Sequence, residues 1–218
     1  MIKATVKNII HNINGRLSDP LSTFKYFERF IAMFCIIMPL ILWVADGDKF
    51  PFFRPSISNY VYMAHSYVFG MLLCIAAMLF IFNGAVYYKS ERHMHISWHG
   101  QWYNVALGVC LIGVICFPHL QYPWPHYICA ISFFAGNALV TLLFHKDKDK
   151  RISIVLGILT LAAMPLAFIK VISLLTAEWI SLAVIGIHFV LSTIDMDQQV
   201  NSKKPKVLVG YHRIDSDL

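Results

Sequence analysis

The sequence predicts an all-α protein, a polytopic transmembrane bundle of six helices with both termini in the cytoplasm. Composition is the first reason: the 218 residues are 58% hydrophobic and only 14% charged, and the mean hydropathy is +0.61. A soluble domain is about half apolar and about a quarter charged. Charge placement is the second reason, because the charged residues gather at the chain ends and in short gaps between apolar runs. A water-soluble fold of this length is therefore excluded.

Six apolar runs have the length that crosses a bilayer. A helix needs about 20 mainly apolar residues to cross a hydrocarbon core of about 30 Å. The first run contains Pro39, which we expect to kink the helix, and it ends near Trp43 at the membrane interface. The least distinct boundary separates the fifth and sixth runs, where Glu178 marks a hairpin turn. The predicted spans are 28–45, 65–86, 102–118, 126–145, 152–174 and 177–194.

Polar segments flank this transmembrane domain, which extends over 28–194. Segment 1–27 is basic, and its apolar residues recur at helical spacing. It is predicted to be a cytoplasmic amphipathic segment that forms a short helix on the membrane surface. The tail 195–218 is polar and is also predicted to be cytoplasmic.

Basic residues are distributed unequally between the two sides of the predicted bundle. Fifteen of the 18 Lys and Arg residues fall in residues 1–29, in the tail 195–218 and in the loops 87–101 and 146–151. The opposite loops contain only Lys49 and Arg54, and Lys170 falls within the predicted fifth span. Cytoplasmic loops retain basic residues, so both termini are predicted to be cytoplasmic. The same rule accounts for the net charge of +6, and we expect no nucleic-acid partner.

Several polar residues fall at the predicted outer ends of the spans. Ionisable groups at membrane depth are costly and tend to face a cavity, a partner or water. We therefore predict an outward-facing polar pocket that binds a lipid headgroup or a small solute. The alternative is that these residues meet water at helix ends and have no function, with Glu178 capping the sixth helix. The predicted pocket residues are Arg54, Ser56, Ser58, His65, His119, His126 and Glu178.

Three of these residues also offer a weaker metal-site hypothesis. Membrane hydrolases of the ceramidase and adiponectin-receptor type place three His around zinc, which activates a bound water. His65, His119 and His126 are the corresponding ligands here, but those enzymes carry an HxxxH pair on a late helix. This chain has only His188 in its last span. A metal-dependent membrane lipid hydrolase is thus an alternative. The leading interpretation is a non-enzymatic protein without catalytic residues, metal or cofactor.

Other polar and sulfur-containing residues carry weaker signals. His95 and His99, which follow His93, are four residues apart and share a helix face, but no carboxylate or Cys completes a metal set. The five cysteines have no CxxC spacing and are expected to act as small buried hydrophobes. A small transporter subunit is a further alternative. Because the chain shows no internal repeat, such a transporter would have to form a homo-oligomer.

Small and amide side chains within the spans predict how the helices pack. Gly108, Gly113 and Gly136 are expected to allow close helix approach. Asn83 and Asn137 are expected to hydrogen-bond to neighbouring helices. These residues are interpreted as architecture rather than chemistry.

Short motifs between about residues 40 and 190 carry a resemblance. The chain reads RPSISNY at 54–60 and has Phe69 and Gly70 early in the second span. It resembles a bacterial group of uncharacterised six-span membrane proteins whose pattern is PSISxYY followed by a span opening with FVG. Further matching positions are Phe80, Gly84, Gly108, Val109, Phe117, Pro118, His126, Ala130, Phe133, Phe134 and Glu178.

Two positions depart from the pattern of that group. A Tyr-Tyr-His run is replaced by Tyr60, Val61 and Tyr62, and His119 stands where the group has Thr after Phe-Pro. The group is distantly similar in layout to DRAM-type eukaryotic membrane proteins. The resemblance implies the six-span fold, and we expect the bacterial inner membrane as location and membrane lipids as partners. It brings no established activity.

Overall fold

The computed structural model describes residues 20–49, 51–90, 103–143 and 150–203. Within these ranges the regular structure is helical and no β-strand occurs, so the predicted all-α class is confirmed. Residues 1–19 of the predicted amphipathic segment 1–27, the loop with His93, His95 and His99, and residues 204–218 of the predicted tail lie outside the described residues. The helices are α1 (Pro20–Ala45), a short 3-10 helix (Ile57–Tyr62), α2 (Ser66–Ser90), α3 (Asn104–Cys116), α4 (Pro123–Leu143), α5 (Lys150–Phe168) and α6 (Leu174–Lys203).

Five of the described helices are long and apolar enough to cross a membrane, namely α1, α2, α4, α5 and α6. The remaining apolar helix, α3, has 13 residues and a length of about 20 Å. Helices satisfy their backbone hydrogen bonds internally, which a hydrocarbon environment requires. Their outward faces carry exposed apolar side chains such as Val44, Ile128 and Val155. This arrangement is typical of a membrane protein.

The first and last helices extend farthest beyond the predicted spans. The first begins at Pro20 and continues through Pro39 to Ala45, so positions 20–27 are helical and continuous with the apolar part. Pro suits the first turn of a helix because its missing N–H would have no partner there. The last helix continues to Lys203, nine residues past the predicted end of the sixth span at 194.

The predicted turn between the fifth and sixth spans was wrong. The sequence placed it at 175–178, but α5 ends at Phe168 and α6 begins at Leu174. Lys170 adopts a left-handed conformation with φ 62°. The N–H groups of Lys170 and Val171 bond back to the carbonyls of Ala167 and Leu166, which is a Schellman ending. The usual signal for that ending is Gly, and Lys takes its place here.

This shift of the turn changes the positions of two predicted residues. Lys170 is exposed in the turn rather than inside a span. Ser173 caps α6, because its Oγ accepts the N–H of Thr176 at 3.0 Å. Glu178 therefore lies in the second turn of α6 with its side chain buried, and does not cap the helix.

The six helices form a closed ring. Each helix packs against the next, α6 packs against α1, and α4 also contacts α6 across the interior. Phe80, Phe133 and Phe189 meet at the centre in edge-to-face contacts with ring centroids 5.4 and 5.6 Å apart. All three are at most 2% exposed. They form an aromatic cluster within the hydrophobic core of the bundle.

The predicted close approaches at glycine are confirmed. A Cβ on Gly108 would lie 2.7 Å from the Ala77 carbonyl oxygen of α2, and a Cβ on Gly136 would lie 2.7 Å from a methyl carbon of Leu107. A Cβ on Gly113 would lie closer still to the sulfur atom of Cys129. These contacts let α3 pack tightly between α2 and α4.

Candidate functional site

A small cavity lies at the end of the bundle where α1 and α3 end and α2, α4 and α6 begin, called here the Glu178 end. Its volume is about 40 Å³, which is room for about three water molecules. Three of the side chains around it are polar, those of Ser58, His126 and Glu178. The rest of the wall is apolar, formed by Met38, Ile57, Phe69, Leu73, Leu111, Val114, Ala130, Phe133, Phe134 and Leu182.

Glu178 is the only acidic residue in the cavity wall among the described residues. Its side chain is 7% exposed, and its Oε2 accepts the backbone N–H of Ile57 at 2.5 Å. The N–H of Leu175 donates to the Pro55 carbonyl at 2.9 Å, so two hydrogen bonds hold the 3-10 segment against the start of α6. In the part of the chain that the structure describes, Oε1 of Glu178 has no hydrogen-bond partner and the carboxyl group has no ion pair.

His126 forms the facing polar wall from the first turn of α4. It is 3% exposed, and its Nδ1 lies 2.8 Å from the Phe117 carbonyl oxygen. A carbonyl oxygen only accepts, so Nδ1 carries the hydrogen and Nε2 of the neutral ring is an acceptor. The turn after α3 thus fixes both the orientation and the tautomer of this imidazole.

The serine pair supplies the third polar wall. The Ser56 and Ser58 hydroxyls lie 3.0 Å apart, and the Asn59 amide donates to the Ser56 hydroxyl at 2.7 Å. Ser58 lines the cavity, whereas Ser56 is buried behind it. Two of the predicted pocket residues therefore belong to one hydrogen-bonded chain that ends at the cavity.

Arg54 does not line this cavity. Its guanidinium group donates two hydrogen bonds to the Asp46 carboxylate, at 2.5 and 2.8 Å, and lies 3.9 Å from Asp48. The hydrogen bond to Asp46 raises the pKa of Arg54 above its ordinary value, so the side chain stays charged. Such bidentate pairs fix geometry, and this one ties the loop before the 3-10 helix to the end of α1.

The two remaining predicted residues lie at different distances from the cavity. His119 is half-buried between Tyr62 and His126, with ring centroids 5.2 and 5.4 Å away. Burial, and then the neighbouring His126, lower the pKa of His119. His65 is exposed and its ring packs against Tyr67. Among the described residues no three His, Cys, Asp or Glu side chains form a group that could hold a metal ion, so His65, His119 and His126 do not meet as zinc ligands.

A second buried polar cluster lies at the opposite end, called here the Glu28 end, and it was not predicted. Glu28 is completely buried; its two carboxylate oxygens accept from the Asn83 amide at 3.2 Å and the Ser192 hydroxyl at 2.6 Å. The Asn104 amide donates to Asn83 at 2.6 Å. Helices α1, α2 and α6 thus meet at one carboxyl group, and α3 joins them through Asn83. In the sequence, Glu28 stands next to an apolar run, which is also where an ordinary charge at the membrane interface would stand.

The two predicted interhelical asparagines differ in their partners. Asn83 hydrogen-bonds to residues of two other helices, as predicted. The prediction for Asn137 was wrong, because its amide donates to the Phe133 carbonyl in its own helix at 2.8 Å. Both residues are asparagines and both side chains are buried, so neither residue type nor burial distinguishes the two outcomes.

The protein is thus a bundle of apolar helices with a small, mostly apolar cavity near one end, whose wall includes one buried acid. Residues 37–193 match the family described as "Family of unknown function (DUF7103)". The match covers more than half of the chain, so the chain belongs to this family. It includes Ser58, His126 and Glu178, whereas Glu28 lies before it. No curated protein and no solved structure matches the chain.

Proposed function

We propose that this chain is a multi-pass membrane protein that binds a small polar solute in the cavity at the Glu178 end. The observation that carries the proposal is the Glu178 carboxyl group. It is buried beside a cavity, and one oxygen has no partner among the described residues. A carboxyl oxygen can accept hydrogen bonds, so a bound solute that donates to this oxygen would complete the hydrogen bonding of the carboxyl group.

The size of the cavity favours a small solute over a lipid headgroup. About 40 Å³ holds about three water molecules. A headgroup with a phosphate and its substituents would need the 3-10 segment to move away from α6. Ser58, His126 and Glu178 offer hydrogen-bonding groups from three separate elements, which suits a compact solute with several polar contacts.

The proposal includes six spans, with the Glu178 end facing the outside of a bacterial inner membrane. In this arrangement α3 and its flanking turns complete the third crossing. The turn containing Lys170 adds one basic residue to Lys49 and Arg54 at the Glu178 end, and the other fifteen belong to sequence segments that this topology assigns to the opposite side. Reporter fusions test this topology. We expect a reporter after residue 121 to be periplasmic and one after residue 203 to be cytoplasmic, and the reverse would contradict it.

Filling the cavity is the direct test of binding. Ala130 lines the cavity, so Ala130→Leu should occupy it, while Ala162→Leu adds the same volume at an exposed position on α5. Thermal unfolding of the purified protein would be followed with methylammonium, urea and formate. We expect at least one solute to raise the Tm of the wild type and of Ala162→Leu but not of Ala130→Leu. A shift that persists in Ala130→Leu, or no shift in the wild type, would contradict the proposal.

Transport is the second candidate function. Buried polar clusters lie at both ends of the bundle, around Glu178 and around Glu28, and the contacts of Phe80, Phe133 and Phe189 belong to the apolar core. Uptake of a bound solute into proteoliposomes would favour transport. If the wild type and Phe189→Ala bind the solute but neither takes it up, the protein binds the solute without transporting it.

A further inference from the structure

We infer that the solute bound in the Glu178 cavity is a small ammonium-type cation, either ammonium itself or a short primary amine. This inference rests on the proposed function and adds the chemical class of the ligand. It follows from the hydrogen-bonding groups, the charge, the wall chemistry and the size of the cavity.

The polar groups of the cavity match a hydrogen-bond donor. Oε1 of Glu178 accepts only when the carboxyl group is ionised or presents its carbonyl oxygen. Nε2 of His126 is an acceptor because Nδ1 donates to the Phe117 carbonyl. The Ser58 hydroxyl keeps acceptor lone pairs beside Ser56. An ammonium group has three or four N–H donors and no acceptor, so it complements this set.

The charge around the cavity favours a cation. Arg54 is the nearest basic side chain along the chain to Ser58, and it is paired with Asp46 outside the cavity wall. No Lys or Arg lines the cavity among the described residues. An ionised carboxylate in such surroundings needs a compensating charge, because an unpaired buried charge is costly. A cationic ligand supplies that compensating charge, whereas an anionic ligand would be repelled by the carboxylate.

The apolar part of the wall distinguishes an amine from a metal ion. Phe69, Phe133 and Phe134 present aromatic rings to the cavity, and the face of such a ring attracts an ammonium group. Aliphatic neighbours such as Leu73 and Leu182 suit a methyl or ethyl group. Hard metal cations require a shell of several oxygen ligands, and one carboxylate and one hydroxyl do not provide it.

Calorimetric titration of the full chain in nanodiscs at pH 7.5 tests the inference. The probes are methylammonium, sodium, urea and tetramethylammonium. The variants are Glu178→Gln and, as a matched control, Asp48→Asn, which neutralises an exposed acid at the same end. We expect methylammonium to bind the wild type and Asp48→Asn, and to bind Glu178→Gln at least about tenfold more weakly. Tetramethylammonium has no N–H donor and should bind none of them.

The outcomes separate this inference from the proposed function. Binding of urea but not methylammonium, blocked by Ala130→Leu, would overturn the cation and leave the solute-binding pocket. Binding of sodium or tetramethylammonium as tight as methylammonium would overturn the ammonium class. No binding of any small solute would overturn both. The comparison of the four probes uses the wild type alone, so it stays decisive if Glu178→Gln fails to fold.

Discussion

The two ends of the bundle each bury one glutamate, but the two carboxyl groups have different surroundings. Both oxygens of Glu28 accept hydrogen bonds, from Asn83 and Ser192 on two other helices. Glu178 has one bond, from the Ile57 N–H, and beside it a cavity of about 40 Å³. A buried acid whose two oxygens are both bonded joins helices, whereas the buried acid with one bonded oxygen beside a cavity is where we propose a binding site.

Truncating the two acids should give the largest difference between the ends. Glu28→Ala removes the acceptor of two hydrogen bonds to a carboxyl group and should lower the free energy of unfolding by about 3–5 kcal/mol. Glu178→Ala removes one such bond beside a cavity that admits water and should cost about 1–3 kcal/mol. Denaturant unfolding in detergent measures both values. Equal costs, or a larger cost for Glu178→Ala, would contradict the predicted difference between the two ends.

The two asparagines give a smaller contrast. Asn83→Ala removes hydrogen bonds to Glu28 and from Asn104, and should cost about 2–3 kcal/mol. The Asn137 amide bonds only to a carbonyl of its own helix, so Asn137→Ala should cost less than about 1 kcal/mol. The same unfolding measurement tests both values. A larger cost for Asn137→Ala than for Asn83→Ala would contradict the conclusion that the Glu28 cluster stabilises the packing of the helices.

The acid sensitivity of the Glu178 end should show the smallest effect. Burial, and then His126, lower the pKa of His119 below its ordinary value of 6.5. As pH falls below about 6.5 the unfolded chain binds more protons than the folded protein, so the free energy of unfolding decreases. We expect His119→Gln to reduce the loss of Tm between pH 7.5 and 5.5.

A neighbouring substitution controls for this effect. Gln121→Ala alters the same turn without removing a titratable group, and should leave the pH dependence of the wild type unchanged. An identical pH dependence in His119→Gln would show that protonation of this imidazole does not destabilise the fold.

The helical class and most of the apolar runs followed from the sequence because hydropathy reports directly on what a bilayer requires. The turn before α6 did not follow. Its left-handed residue is Lys170 rather than Gly, and the backbone bonds that stabilise it leave no compositional signal. The described part of α3 covers fewer residues than the predicted span 102–118, since apolarity continues past the last helical turn at Cys116.

The candidate site was predictable in part. Ser58, His126 and Glu178 meet at one cavity, as helix ends on one side of a bundle allow. Arg54 pairs with Asp46 instead, because an acid eight residues before it in the same loop is a closer partner. The cluster around Glu28 depends on which helix faces pack together, and that information is tertiary.

Methylammonium binding at the Glu178 end is tested by the Tm shift that methylammonium produces in Glu178→Gln and in Glu28→Gln. Both substitutions replace one buried carboxyl group by an amide of nearly the same volume, so they differ in the end of the bundle that they alter. We expect the shift to disappear in Glu178→Gln and to persist in Glu28→Gln. A shift that persists in Glu178→Gln, or one lost only in Glu28→Gln, would contradict this expectation.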